Sequence, residues 1–371
     1  MFETSERTSD SMKICFKKTW IAFFCFCFIS SNAQQSFFSN TSFGLQTHYG
    51  SFLTMDPKAQ YLRDSYSYFG EVYLQKINQE WSTVSRPIAW GVSVLFGNSG
   101  SRQYIGNTGG VFPFINAPFI QRKNFNSKLR IGAGVGWVQK PYDKETNHKN
   151  VLIGTTINGV FNFLWQNEYR INQNLFINAG LSFTHLSNGA STLPNLGINI
   201  PGVSLGLRYT VNEKAATREK FTDSFNRKLS LNFYTSAGVK QLPWIGSPRY
   251  LVNVFNAELV KRYAHNKQYG GGVILFYDRS MQVNPYTITS DKRKNKNVQA
   301  GVYLSYEHFF GKVSLPLQLN AYVFNRDIYS VLFQQIGVRY EVSKHLTAQA
   351  MLKTHGGKAD VIHAGIGYQL K

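Results

Sequence analysis

The stretch Leu175-Phe176-Ile177-Asn178-Ala179-Gly180-Leu181-Ser182-Phe183-Thr184-His185-Leu186-Ser187 decides how this chain is read. Taken at every second position, Leu175, Ile177, Ala179, Leu181 and Phe183 form an apolar row that ends in His185 and Ser187. Successive side chains of a strand point to opposite faces, so a base and a hydroxyl share the apolar face. In a membrane barrel that face looks at lipid, and a reactive pair on it would meet a lipid substrate.

The same period-two alternation recurs on both sides of this stretch. Ile88, Trp90, Val92, Val94 and Phe96 alternate with Ala89, Gly91, Ser93, Leu95 and Gly97, and Leu129, Ile131, Ala133, Val135 and Trp137 alternate with Arg130 and three glycines. Val203, Leu205, Leu207, Tyr209 and Val211 alternate with Ser204, Gly206, Arg208 and Thr210. Runs of this length between Gly, Asn, Pro and Lys-rich breaks are the signature of a transmembrane β-barrel, whereas a soluble sandwich would have strands of about five or six residues. After the amino terminus there is no apolar stretch of about 20 residues, so a helical membrane protein is excluded and a closed barrel is the remaining way to span a bilayer.

Composition agrees. Of the 371 residues 16% are charged, against about 25% in an ordinary soluble domain, and 15% are aromatic. The mean hydropathy is −0.25, as expected where half of each strand is free to be polar. The expected fold is an all-β antiparallel barrel with an even count of about 12 to 16 strands, residues 34–371 forming a single barrel domain with no domain linker. Sixteen candidate strands run from about 41–54 to 361–370. An even count puts both termini in the periplasm, and the loops after Met55, Lys140, Ser187, Gln241, Ser280 and His355 then face outward.

Residues 1–33 read as an export signal. Lys13, Lys17 and Lys18 precede the apolar core Trp20 to Ile29, and Ser31-Asn32-Ala33 provides small residues for cleavage, with Met12 as the expected true start. Cys15, Cys25 and Cys27 all lie in this segment, so the mature chain is expected to have no disulfide, cysteine nucleophile or thiolate metal site. No cofactor is implied, and His308 and His363 lack spacing partners for a metal.

The net charge of +20 includes Gln121-Arg122-Lys123, Lys261-Arg262 and the outward run Asp291-Lys292-Arg293-Lys294-Asn295-Lys296. For an exported barrel the anionic partner is a phosphorylated lipid headgroup such as lipid A rather than nucleic acid. Glu71, Glu168 and Glu258 fall within strands and are expected to line a polar lumen with Arg130 or Arg208.

Thr184-His185-Leu186-Ser187-Asn188-Gly189-Ala190, then Leu193-Pro194-Asn195-Leu196-Gly197 and a strand near Ile200, resembles the lipid A 3-O-deacylase (PagL-type) family of outer-membrane barrels, also labelled acyloxyacyl hydrolases. The likeness extends upstream through Gly109-Gly110-Val111-Phe112-Pro113-Phe114 and covers roughly residues 40 to 212. It implies a serine esterase of the bacterial outer membrane that cuts an ester-linked acyl chain of lipopolysaccharide lipid A in the outer leaflet. Ser187 would be the nucleophile, His185 the general base and Asn188 a donor to the oxyanion. Where the family carries a glutamate that orients its histidine, this chain has Asn199, which can accept from the imidazole but brings no charge. Asp360 and His355, in another outward loop, are alternative supports for the histidine. The competing class is a non-enzymatic porin or transport barrel, which the Gly, Ser, Asn and Thr of the lumen faces would permit.

Overall fold

The structure is a computed structural model that describes residues 40–54, 56–83, 86–211, 228–242, 244–282, 297–325 and 330–370. The amino-terminal segment and the basic run 291–296 lie outside the described residues.

Sixteen strands alternate their side chains as the sequence pattern demands. They are β1 (Thr41–Gly50), β2 (Ser67–Thr83), β3 (Arg86–Asn98), β4 (Asn107–Gln121), β5 (Phe125–Val138), β6 (Ile157–Arg170), β7 (Leu175–Ser187) and β8 (Ile198–Val211), then β9 (Leu229–Gln241), β10 (Arg249–Ala264), β11 (Lys267–Asp278), β12 (Val298–Phe310), β13 (Val313–Phe324), β14 (Leu332–Glu341), β15 (Leu346–His355) and β16 (Lys358–Leu370). Every neighbouring pair is antiparallel. The strands do not close as one barrel, however. β8 returns to β1, with Leu45 opposite Leu207, and β16 returns to β9, with Ile366 opposite Thr235, so the chain forms two closed barrels of eight strands each.

The expectation of a single barrel is corrected on this point, and the reason is physical. Alternation fixes which face a side chain takes, but closure depends on a pairing some 160 residues away in sequence, which a local period does not encode. One sequence signal was available. Between Val211 and Leu229 the chain carries Glu213, Lys214, Arg218, Glu219, Lys220, Asp223, Arg227 and Lys228 without apolar alternation, where the other connections on that end are a few residues long.

Each barrel wears its apolar residues outside. Leu45, Val92, Val94, Leu181 and Leu205 are exposed on the first, and Leu259, Val273, Leu304, Leu319 and Ile366 on the second. Apolar surface of this extent around a whole barrel has only the hydrocarbon of a bilayer to meet, and closure leaves no strand edge unpaired there. Inside, an eight-stranded barrel is just wide enough for side chains to fill it. Glu71 meets Arg130 at 2.6 Å and His48 at 2.7 Å, and Glu168 meets Arg208 and Lys128, each at 2.7 Å. In the second barrel Arg339 lies 3.0 Å from Glu258 and 2.8 Å from Glu307. The expected lumen carboxylates are therefore paired, Glu258 with an arginine the sequence had not singled out.

The two ends differ. Residues 122–124, 171–174, 265–266, 311–312 and 342–345 make tight turns at one end. At the other end of the first barrel, long loops pack Phe52, Leu62, Ile105, Leu152 and Ile153 against Leu186 and Ile198 in a buried cluster over the mouth. This end carries the candidate site.

Candidate functional site

On β7 the residues Phe176, Asn178, Ser182, Thr184 and Leu186 are buried in the barrel, while Ile177, Ala179 and Leu181 are exposed. His185 and Ser187 belong to the outward row and are half-buried where the strand ends. Their outward placement follows from the apolar period alone.

β7 and β8 pair so that His185 stands directly opposite Asn199. Cross-strand neighbours have Cβ atoms about 5 Å apart, and here the imidazole Nδ1 lies 2.8 Å from Asn199 Oδ1. A carboxamide oxygen only accepts, so Nδ1–H donates and the lone pair rests on Nε2. The asparagine is itself fixed, since its carbonyl accepts the Leu53 N–H at 2.7 Å. Beneath the ring lies Gly197, with φ +77°; a Cβ there would come within 2.7 Å of His185 Cε1. Glycine is thus required twice, by the left-handed backbone and by the close approach of the imidazole.

Ser187 is held differently. Asn195 Nδ2 donates to its Oγ at 3.0 Å, its hydroxyl lies 3.2 Å from Asn195 Oδ1, and the Gly189 N–H donates to it at 3.2 Å. Among the described residues no hydrogen bond joins Ser187 to His185. Catalytic hydrogen bonds commonly tighten only with substrate present. Asn195 entered the sequence reading only as a turn residue; its part in holding the serine is a contact across a loop, visible once Ile153 and Asn195 form a bridge.

Asn188 takes a place other than the one expected. Its side chain is buried; Nδ2 donates to the Thr192 carbonyl at 2.8 Å and to Thr155 Oγ1 at 3.2 Å, and its backbone N–H donates to Asn195 Oδ1 at 3.1 Å. Its donors are committed to the loop, because one residue past Ser187 the parity points inward. Gly189 N–H is the backbone donor that reaches the serine oxygen, beside Asn195 Nδ2. Among the described residues Asp360 and His355 make no hydrogen bond or ion pair with His185 either. Asp360 is bound by Lys240 at 2.9 Å and Lys353 at 3.0 Å, and His355 Nε2 lies 3.0 Å from the Tyr322 hydroxyl, all within the second barrel. Among the described residues no cluster of His, Cys, Asp or Glu is arranged to hold a metal.

Comparison with known proteins follows the two barrels. Residues 67–208 match the model of the lipid A 3-O-deacylase (PagL) family, and residues 229–371 match that of the acyloxyacyl hydrolase C-terminal domain. No curated protein matches the chain in sequence. Among solved structures, Neisserial surface protein A aligns with a TM-score of 0.33 at 9% identity, over 47% of this chain and 98% of its own. A mutant Rh. blastica porin aligns with a TM-score of 0.19 at 7% identity, over 89% of this chain and 100% of its own. With one model on each barrel, the chain belongs to the lipid A 3-O-deacylase (PagL) and acyloxyacyl hydrolase family of the bacterial outer membrane.

Proposed function

We propose that the protein is a lipid A deacylase of the serine esterase type. Ser187 is the nucleophile, His185 the general base and Asn199 the residue that orients the imidazole. The observation that carries this reading is the 2.8 Å contact of His185 Nδ1 with Asn199 Oδ1, on the lipid-facing side and two residues from Ser187. Residues two apart on a strand lie about 6 to 7 Å apart on one face, near enough for the free Nε2 to take the serine proton.

The step balances as an acyl transfer. Ser187 Oγ attacks the ester carbonyl while its proton passes to His185 Nε2, and the resulting oxyanion needs backbone N–H donors beside Oγ, for which Gly189, whose N–H already points at Oγ, is the candidate. Collapse breaks the bond between the acyl carbon and the sugar oxygen, which leaves with the proton from the imidazolium. Water, deprotonated by the same imidazole, then frees the fatty acid and restores Ser187. A neutral Asn199 holds the tautomer but lends no charge to the imidazolium, so this site runs with one term fewer than a triad completed by a carboxylate.

The outward loops supply what a phosphorylated glycolipid headgroup needs. Arg63, Arg102, Lys140, Lys144 and Lys149 are exposed there, above the apolar wall that would receive acyl chains. Charge-assisted bonds to phosphate favour such a surface. The purified protein is expected to release fatty acid from lipid A; Ser187→Ala and His185→Asn should each abolish this while heat-modifiable migration on a gel stays intact. Conductance measured in parallel tests the porin alternative, which the lumen ion pairs oppose. Undiminished release by both variants would exclude this site.

A further inference from the structure

The loop that follows Ser187 is not held by its own barrel alone. Gly189 and Ala190 adopt φ of +62° and +65°, and for alanine the left-handed region is unfavourable, so something must hold this turn. The second barrel touches it at several points. The Gln241 N–H at the end of β9 donates to the Ala190 carbonyl at 3.1 Å, and Gln241 Oε1 accepts the Leu193 N–H at 2.6 Å. The other end of the same carboxamide donates to the Ser247 carbonyl at 2.6 Å, which locks its orientation. Arg249, at the start of β10, donates to Thr192 Oγ1 at 2.8 Å. On β16, Ile362 packs so closely on Gly189 that a Cβ there would stand 2.3 Å from its Cδ1.

These contacts converge on the backbone that carries the Gly189 N–H to Ser187 Oγ. We infer that the second barrel is a clamp on the catalytic loop, and that Gln241 is its positioning residue, acting on Ser187 through Leu193, Ala190 and Gly189. The inference rests on the reading of Ser187 as the nucleophile. It gives the second barrel a part in the reaction without any residue of its own touching substrate. A misplacement of the oxyanion donor by a fraction of an ångström lowers the rate of the chemical step rather than the binding of lipid.

The test uses the whole chain in detergent micelles with lipid A as substrate, and compares the parent with Gln241→Ala, Gln241→Glu and Ser187→Ala. Gln241→Ala is expected to lower kcat about tenfold or more with KM within about twofold. It should also speed backbone hydrogen exchange in residues 188–195, with heat-modifiable migration unchanged. Gln241→Glu keeps an acceptor for the Leu193 N–H but loses the donor to the Ser247 carbonyl, so its kcat should fall between those of the parent and Gln241→Ala. Parental kcat and exchange in Gln241→Ala, beside an inactive Ser187→Ala, would overturn the clamp and leave the esterase reading standing. A Gln241→Glu variant as slow as Gln241→Ala would overturn Gln241 as the positioning residue. A parent that releases no fatty acid would end both readings.

Discussion

The seventh strands of the two barrels, β7 and β15, each carry a histidine within their last three residues, and the two histidines face opposite ways. On β7 the row Ile177, Ala179, Leu181 is exposed and carries His185 outward, to the side where lipid lies. On β15, Met351 and Lys353 are buried in the lumen, and His355 continues their row to meet the Tyr322 hydroxyl. One residue of register separates an imidazole on the outward row from one that faces the lumen beside Tyr322 and Phe333. Fold and residue type are shared, so parity and what the opposite strand presents determine where chemistry is available. Opposite His185 stands Asn199; around His355 stand Tyr322 and Phe333.

The sharpest way to break this comparison is to remove each histidine in turn. His185→Asn should lower fatty acid release about a thousandfold or more, since base and nucleophile act as a unit. His355→Asn should leave release within about twofold, a range for a lumen-facing group that makes no contact with the reacting pair. Equal losses in the two variants, measured on lipid A with gel migration as the folding control, would erase the distinction.

The lumen of the second barrel should respond in stability where the outward site of the first responds in rate. Asp360 lies between Lys240 and Lys353, and Lys353 is almost wholly buried. Asp360→Asn leaves that ammonium without its carboxylate, at a cost of about 3 kcal/mol. The temperature at which the gel migration changes should fall accordingly. An unchanged temperature would mean that the lumen cluster contributes nothing to holding the second barrel closed.

Much of this was legible in the sequence, for reasons that particular residues make plain. The period-two set from Leu175 to Ser187 fixed the outward row, because side-chain parity is local. The opposition of His185 and Asn199 could be anticipated, since a hairpin whose apolar rows must share a face has little freedom of register. Two features were not legible. The pairing of β8 with β1 is a long-range event that only the polar segment 212–228 hinted at, and Asn188 and Asn195 take places other than those the sequence suggested. Asn188 is one residue beyond an outward position and turns inward, whereas Asn195 reaches the serine only because the loop folds back across it.

A carboxylate opposite His185 sharpens the contrast further. Asn199→Glu is expected to leave deacylation unchanged or raise it several-fold, as an anion stabilises the imidazolium formed during attack. It should also shift the acidic limb of the pH profile upward, because an adjacent negative charge favours protonated histidine. A clear fall in rate with the barrel intact would show that the neutral amide is needed for geometry alone.

The smallest effect belongs to the loops over the first barrel. Burial pushes the Asp64 carboxyl up, but the backbone N–H groups of Gln103 and Arg102, the Ser65 hydroxyl and the Arg102 charge outweigh it and hold the group below the usual carboxylate range. A depressed carboxyl contributes order above its unfolded pKa, about 4, and that contribution is lost as pH falls through the lower folded value. Protection of residues 99–106 from exchange, taken relative to the intrinsic rate at each pH, should therefore fall below about pH 4 in the parent and not in Asp64→Asn. The same pH response in both would remove Asp64 from the account.

The most direct test of the central claim is covalent labelling. The intact protein in detergent is treated with a long-chain alkyl fluorophosphonate, which reacts with an activated serine, and the modified residue is located by peptide mass spectrometry. The outward site predicts a single label on Ser187 that His185→Asn suppresses and His355→Asn does not. A label on a different serine, or no label in a protein that still releases fatty acid from lipid A, would contradict it.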